Sequence, residues 1–265
     1  MTAGPDAGRA ADVAALDIRN LSVAFGGVRA VDDLSFSVQP GQICGLIGPN
    51  GAGKTTVFNC ISRLVTAQSG EIDVFGSPVL DLPSARVARA GIGRTFQQVK
   101  LFPGMTVREN VMVGAHTTSK AGVVRCGLRL PGFRAEERTL RTRATDLLEL
   151  LGLTAEADHR AGSLPFGTLK RVDIARALAH RPRLLLLDEP AGGLNVSEVR
   201  RLAETIRRIS ALGVTIVLVE HHMGLVMDVS ERIVVLEFGR QLAEGGPAEI
   251  RTDQRVVDAY LGVPA

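Results

Sequence analysis

The sequence is poor in cysteine, and its three cysteines follow no known scheme. Cys44, Cys60 and Cys126 have neither a metal-ligand spacing nor the even number of a disulfide framework, so neither a zinc site nor a disulfide scaffold is expected. Cys44 lies in the apolar run 43–47 and Cys60 on a predicted helix face, which favours buried thiols. This usage is typical of a reducing cytosol.

Long apolar runs and strong charge are also missing. No stretch approaches the roughly 18–20 apolar residues that cross a bilayer, and residues 1–15 lack the apolar segment of a signal peptide, so we expect a disordered tail there. The net charge of +3 is too small to indicate nucleic acid as a partner. We therefore expect a cytosolic or peripheral protein.

The first third of the chain combines strand patterns of two kinds. Residues 16–38 read as short strands punctuated at 26–27 and at 32–33, which predicts an antiparallel β-subdomain. The run 43–47 is continuously apolar and is followed by a glycine-rich loop and a helical pattern. Such a strand–loop–helix unit is typical of a parallel sheet with its ligand at the carboxyl edge of the strands.

The rest of the chain separates into helical and strand-forming parts. Helical periodicity dominates about 99–182, which predicts a helical subdomain inserted into a domain that spans 16–265. The uniform apolar runs 184–187 and 214–219 are typical of parallel strands covered on both faces. The predicted fold class is therefore α/β, with a mostly parallel sheet as its core.

One loop carries a strong phosphate-binding signal. It matches the P-loop pattern GxxxxGK[ST] and reads Gly48-Pro49-Asn50-Gly51-Ala52-Gly53-Lys54-Thr55-Thr56. Its glycines allow successive backbone N–H groups to face phosphate oxygens at the start of a helix. The pattern predicts that Lys54 reaches the β- and γ-phosphates of a nucleotide and that the Thr55 hydroxyl binds Mg²⁺.

Two acids follow the buried run 184–187. Asp188 is predicted to bind Mg²⁺, directly or through water, as phosphoryl-transfer sites require. Glu189, one residue further on, is placed to polarise the attacking water. Two surface acids at a strand end are the simpler interpretation, but the P-loop argues against it.

With these motifs, residues 16–262 resemble the nucleotide-binding subunits of ABC transporters. Each further matching segment is weak alone, yet all of them stand in the order and at spacings compatible with the family. The matching positions are the A-loop aromatic Phe25, the Q-loop Gln97, the signature Leu164-Pro165-Phe166-Gly167-Thr168, the D-loop Ala191-Gly192-Gly193-Leu194-Asn195 and the switch histidine His221.

The resemblance implies roles for these positions and a need for two chains. Phe25 would stack on adenine, Gln97 would contact Mg²⁺ and the attacking water, and His221 would contact the γ-phosphate. The signature would face ATP bound on a second ATPase subunit, so one chain alone should hydrolyse ATP poorly. Pro165 stands where the family usually has Ser, which predicts that the site this signature completes is the slower of two.

Other departures are Thr168 for Gln, Asn195 for Asp, and His222 for an Asp that is common after the switch histidine. Within the family, the sequence resembles most the LivG-type subunit of branched-chain amino-acid importers. The likeness is carried by Gly93–Gln97, the extended segment after Ala115, Glu220–Met223 and the segment Asp258–Gly262. That likeness implies uptake of branched-chain or related apolar amino acids.

It also implies three kinds of partner. These are a second, different ATPase (with a homodimer as the alternative), membrane permease subunits, and an extracytoplasmic binding protein. An exporter ATPase and an importer of amides or urea remain as alternatives, since the cytosolic motifs are shared. A GTPase or small-molecule kinase would leave the signature and His221 unexplained.

Two surfaces remain open to two interpretations each. Apolar residues beside the Q-loop either receive a helix of the permease or pack on the chain's own helices; they are Val99, Leu101, Phe102 and Met105. Residues 117–143 carry seven basic and two acidic side chains. That excess either faces anionic lipid headgroups or forms a solvated helix face.

Overall fold

The structure is a computed structural model that describes residues 13–115 and 131–261, except the side chains of 131–136 and 261. Most of the predicted tail, 1–12, therefore lies outside the described residues. Ala15 is buried, its N–H donates to the Val38 carbonyl and its own carbonyl accepts from Phe75. The packed domain thus includes Ala15.

The first sheet is antiparallel, with the order β2-β1-β4-β5. Its strands are β1 (Leu16–Phe25), β2 (Val28–Val38), β4 (Ser69–Val74) and β5 (Ser77–Pro78). The expectation of short strands was wrong for β2, which runs through the predicted break at Asp32 and Asp33. There Asp33 has φ +55° and the pairing with β1 shifts register, so the break is an irregularity within one strand.

The second sheet has the order β10-β9-β3-β8-β7-β6, in which only β10 is antiparallel to its neighbour. The strands are β3 (Ile43–Ile47), β6 (Ile92–Arg94), β7 (Leu184–Asp188), β8 (Thr215–Val219), β9 (Arg232–Glu237) and β10 (Arg240–Gly245). Every residue of β3, β7 and β8 is buried, as the uniform apolar runs predicted. The mostly parallel α/β fold is confirmed.

Helices cover both faces of this sheet. They are α1 (Lys54–Ile61), α2 (Ser84–Val87), α3 (Val107–Ala115), α4 (Pro131–Leu150), α5 (Phe166–Leu178), α6 (Val196–Ala211), α7 (Met223–Val229), α8 (Pro247–Thr252) and α9 (Gln254–Leu261). Among the described residues, none of these helices is long and apolar enough to span a membrane.

Between β6 and β7 the described residues form helices joined by loops, and they contain no strand apart from an isolated bridge between Thr106 and Arg160. Its apolar side chains do not form a separate core, because α3, α4 and α5 share one buried cluster with α6 and β8. The boundaries 99–182 of an inserted subdomain therefore remain a prediction.

The thiols at Cys44 and Cys60 are buried, as predicted. Burial raises the pKa of Cys44 to about 12 and that of Cys60 to about 11, so both are protonated at neutral pH. Cys126 lies outside the described residues.

Candidate nucleotide site

Four parallel strands end side by side at one edge of the second sheet. Val219 at the end of β8 lies between Leu46 of β3 and Asp188 of β7, and β6 pairs with the far side of β7. Because parallel strands deliver their carboxyl ends to the same edge, the P-loop, the acidic pair, the Q-loop and the switch histidine converge there. This convergence is the first requirement for a nucleotide site.

The P-loop backbone leaves no room for side chains at two of its glycines. A Cβ on Gly48, at φ +148°, would lie 2.1 Å from the Leu236 carbonyl oxygen. One on Gly53, at φ +99°, would lie 2.3 Å from the Ala30 carbonyl oxygen of β2. The loop therefore runs tightly between β9 and the antiparallel sheet, and it opens α1 without a side-chain cap.

Lys54, the first residue of α1, lies across this loop. Its Nζ donates to the carbonyl oxygens of Gly48 at 2.7 Å and Pro49 at 2.8 Å. Burial lowers the pKa of Lys54, an effect that the charge of Glu189 partly opposes. An ammonium held by neutral carbonyls at a helix N-terminus is ready to receive an anion.

Asp188 is buried against an arginine that the sequence did not identify as its partner. Arg94 Nη2 donates to Asp188 Oδ2 at 2.8 Å, and the two side chains are 8% and 4% exposed. Arg94 Nη1 also donates to Asn59 Oδ1 at 2.9 Å and Ser62 Oγ at 3.0 Å. The guanidinium thus fixes the carboxylate against the helix that follows the P-loop.

The donor set at this edge fits Mg²⁺ held jointly with phosphate. The described residues contain no cluster of three or more His, Cys, Asp or Glu that could hold a metal by itself. Mg²⁺ usually takes one or two protein ligands and completes its shell with phosphate and water. The exposed Thr55 on α1 and Asp188 on β7 supply ligands of that kind, with the Gln97 amide oxygen as the third predicted ligand.

Gln97 and Glu189 meet directly. Gln97 Nε2 donates to Glu189 Oε2 at 2.8 Å, so the Q-loop holds the predicted catalytic carboxylate. Glu189 has φ +45°, uncommon for a residue with a side chain, and its N–H donates to the Val219 carbonyl at 2.9 Å. The strand end is thereby turned out of the sheet, as functional sites often require.

Lys170 on α5 joins the same two residues through their backbones. Its Nζ donates to the Glu189 carbonyl at 2.9 Å and the Gln97 carbonyl at 3.2 Å. The side chain is buried, and that burial lowers the pKa of Lys170 against the opposing effect of nearby acids, Asp173 first. Sequence reasoning missed this residue, because a lysine within a helix carries no local signal of burial.

The switch histidine follows a carboxylate that sequence reasoning also passed over. His221 has a 65% exposed side chain, while Glu220 before it is fully buried. The Glu220 carboxylate accepts from the N–H groups of Ala191, His221 and His222. His222 accepts from Leu225 N through Nδ1 and so caps α7.

The signature segment lies at the start of α5. Pro165 occupies the N-cap, with φ −58° and ψ 151°, and Phe166 is the first helical residue. Phe166 is 47% exposed, and Leu164 and Gly167 are partly exposed. Thr168 is buried, with its N–H on the Pro165 carbonyl.

This segment lies beside the D-loop of its own chain. A Cβ on Gly167 would approach Glu198 Oε1 to 2.3 Å, and one on Gly193 would approach the Phe166 ring to 2.9 Å. Glu198 and Asn195 form a capping box that starts α6. Within the described chain, the structure therefore brings together the P-loop, Q-loop, acidic strand end and switch loop, and places the signature with the D-loop.

Phe25 ends β1 and is 51% exposed. Its hairpin reaches the P-loop through Ala30, whose carbonyl faces Gly53. Stacking of Phe25 on adenine stays a prediction.

Comparison with known proteins identifies relatives over nearly the entire chain. A sequence model described as ABC transporter matches residues 31–192, and one described as branched-chain amino acid ATP-binding cassette transporter matches residues 240–265. The high-affinity branched-chain amino acid transport ATP-binding protein LivG of Escherichia coli (strain K12) is 42% identical over 93% of this chain and 97% of its own length.

Solved structures agree in fold. A nucleotide-free ATP-binding cassette from an ABC transporter superposes with a TM-score of 0.83 at 30% identity, covering 94% of this chain and 100% of that one. A dimeric cassette in a post-hydrolysis state, bound to ADP and Pi, has a TM-score of 0.74 at 27% identity, covering 88% and 98%. With the P-loop and acidic strand end inside the matched region, the chain belongs to the ABC transporter family, as an ATP-binding cassette that binds ATP with Mg²⁺ and hydrolyses it.

Proposed function

We propose that this cassette energises uptake of branched-chain or related apolar amino acids, bound at the cytoplasmic face of a membrane. Support for the solute class comes from the LivG relative and from the match of residues 240–265. The ATPase part depends above all on one arrangement, in which Lys54 faces the P-loop carbonyls while Gln97 holds Glu189 at 2.8 Å.

The residues at the sheet edge have different roles in ATP hydrolysis. P-loop N–H groups and the Lys54 ammonium hold the β- and γ-phosphates. Bound Mg²⁺, held by Thr55, Asp188 and Gln97, would neutralise charge that develops on the phosphate oxygens. Glu189 polarises a water for attack, Gln97 orients that carboxylate, and His221 contacts the γ-phosphate from the switch loop.

Removal of the Lys54 ammonium tests this arrangement. In Lys54→Ala, prepared as the full chain with the subunits that co-purify with it, we expect phosphate release to fall by about a hundredfold or more and ATP to bind more weakly. Arg208→Ala removes an exposed cation on α6, outside the P-loop, and should leave both quantities unchanged. Parental turnover in Lys54→Ala would refute the proposed ATP site.

A second ATPase subunit is proposed to complete each site. Pro165, Phe166 and Gly167 are at least partly exposed at the start of α5, where a nucleotide on another chain can reach them. The dimeric relative with ADP and Pi supports such a pairing. The partner is proposed to be a different ATPase of the same fold, with a homodimer as the alternative. Glu189→Gln and the matching change in the partner should then reduce turnover unequally; equal losses would refute the asymmetry.

A permease is proposed to dock beside the Q-loop, and an extracytoplasmic binding protein to deliver the solute to that permease. Phe102 is 48% and Met105 37% exposed there, whereas Leu101 packs partly against the core. The buried Asn110 holds the Phe102 backbone in both directions, donating to its carbonyl at 3.1 Å and accepting from its N–H at 2.8 Å. A fixed backbone that presents apolar side chains suits a docking helix.

The lipid hypothesis for 117–143 stays a prediction, because most of that segment lies outside the described residues.

The transport proposal is tested by uptake of labelled leucine in cells that carry the parental chain or Lys54→Ala. Uptake of leucine, but not urea, should depend on Lys54. Uptake of urea alone would support the amide or urea importer instead.

A further inference from the structure

A fully buried carboxylate lies beneath the catalytic loops. Glu220 has 0% exposure. Each of its two carboxylate oxygens accepts from the backbone N–H groups of a different loop. Oε1 accepts from Ala191 N at 2.6 Å, and Oε2 accepts from His221 N at 3.0 Å and His222 N at 3.1 Å. Burial of a charged group is costly unless the group is hydrogen-bonded. The three N–H donors offset that cost for the Glu220 carboxylate, so both loops are arranged to bind it.

The two loops that Glu220 joins carry the two groups proposed to act on the γ-phosphate side. Ala191 lies two residues after Glu189, and its N–H is held by one carboxylate oxygen. The other oxygen holds the peptide that presents His221. Because the two oxygens belong to one planar group, the loops cannot move apart without breaking or distorting at least one of these hydrogen bonds.

We propose that Glu220 is a positioning residue that fixes His221 relative to Glu189 and to the D-loop. The inference rests on the proposed function, since it assumes that His221 acts in hydrolysis. Glu220 does not take part as a base, because no solvent reaches it and its oxygens are occupied by three N–H donors.

Local backbone geometry favours the same role. Glu189 is held at φ +45°, a conformation that persists only when its surroundings restrain it. The Glu189 N–H donates to Val219, the residue before Glu220, and Lys170 holds the Glu189 carbonyl from the other side. Glu189 is therefore held by contacts of its own, and Glu220 ties Ala191, just after this turn, to the peptide that presents His221.

The decisive variant is Glu220→Gln, which keeps the shape but turns one accepting oxygen into a donor that faces an N–H. In the full chain with its co-purifying subunits, we expect kcat for ATP hydrolysis to fall roughly tenfold to a hundredfold, as for a misplaced catalytic group. The Kd for ATP should change by less than about twofold, because the P-loop is untouched. Glu231→Gln is the matched control, since Glu231 also accepts from a backbone N–H, that of Ile43, but outside the site.

A double-mutant cycle separates positioning from general damage. If Glu220 acts through His221, then Glu220→Gln added to His221→Ala should cost little beyond His221→Ala alone. Losses that multiply would overturn the inference, and so would an unchanged kcat in Glu220→Gln. Should His221→Ala itself turn over at the parental rate, the proposed role of His221 fails, and the positioning role with it, while the Lys54 test of the ATP site stands apart.

Glu220→Asp covers the case in which Glu220→Gln does not fold. The aspartate keeps the charge but is one methylene too short to hold both loops, so kcat should again fall while the Kd for ATP is kept. Parental kcat in Glu220→Asp would contradict the positioning role.

Discussion

The glycines of the P-loop illustrate how a single residue decides the geometry of the site. Gly48 and Gly53 have neighbouring backbone where a side chain would begin, whereas a Cβ on Gly51 would meet nothing within 4 Å. All three have positive φ, which residues with a side chain rarely adopt. Gly48 is therefore required both for its positive φ and because no side chain fits there. Gly51 is required only for its positive φ.

Gly48→Ala and Gly51→Ala separate these two requirements. Gly51→Ala carries only backbone strain, so we expect a loss of unfolding free energy of about 1–2 kcal/mol with ATP still bound. Gly48→Ala must also displace the Leu236 carbonyl, since its Cβ would lie at 2.1 Å, and ATP binding should be lost. Urea unfolding and titration with ATP measure the two effects; equal behaviour of the variants would contradict the close approach.

Partnerships between side chains distant in sequence were beyond the reach of sequence reasoning. Asp188 was predicted as a metal ligand from its strand end, but nothing local showed that Arg94, from another strand, pairs with it. Glu220 entered the sequence analysis only as part of the segment Glu220–Met223, with no role of its own. Burial of a charged residue depends on which loops pack over it, and that is decided by the tertiary fold.

At the scale of elements, α5 connects the signature to the catalytic loops. The helix begins at the exposed Phe166, and one turn later Lys170 points its ammonium at the carbonyls of Gln97 and Glu189. The next residue, Arg171, donates instead to the carbonyls of Leu151 and Gly152 at the end of α4. Adjacent cations on one helix therefore hold different parts of the molecule.

Lys170→Met and Arg171→Met test this division. Both remove a cation with two hydrogen bonds to backbone carbonyls, so both should lower stability. Only Lys170→Met releases the Q-loop and the turn at Glu189, and we expect it to lower kcat roughly tenfold or more. Thermal unfolding and phosphate release are the measurements; equal losses of kcat would show that α5 acts on the site as a whole rather than through Lys170.

Elements with uniform or periodic patterns were predictable because their burial is set by their own sequence. The runs that became β3, β7 and β8 are buried at every residue. The continuity of β2 was not predictable, because Asp32 and Asp33 have low strand propensity and indicate a break in the strand. The ion pair of Asp32 with Arg240 links that part of β2 to β10 of the second sheet, and such a contact between distant strands cannot be read from local pattern.

At the scale of the whole molecule, the parallel sheet separates two large apolar clusters. One joins the helices α3, α4 and α5 to α6, and the other joins α1 to the antiparallel sheet. His180 lies between α5 and β7, where its Nε2 is 3.0 Å from the Ile92 carbonyl of β6. Burial, more than the nearby charge of Arg143, lowers the pKa of His180 below its ordinary value of 6.5.

This histidine should make the fold sensitive to acid. Because its folded-state pKa lies below the unfolded value of 6.5, the unfolded chain binds more protons as the pH falls beneath 6.5. The contribution of neutral His180 is therefore complete above pH 6.5 and is lost as the pH falls towards its folded-state pKa. The buried Asp173, whose pKa is raised by burial above its ordinary value of 3.8, contributes with the opposite sign, because the cost of its buried charge is relieved as the pH falls.

His180→Gln removes the titration but keeps a donor for the Ile92 carbonyl. We expect the free energy of unfolding in urea to fall less between pH 7.5 and pH 5.5 in this variant than in the parent. His159→Gln replaces an exposed histidine and should keep the parental dependence. If His180→Gln instead shows the parental slope, the acid sensitivity arises elsewhere, and the junction of α5, β6 and β7 does not set it.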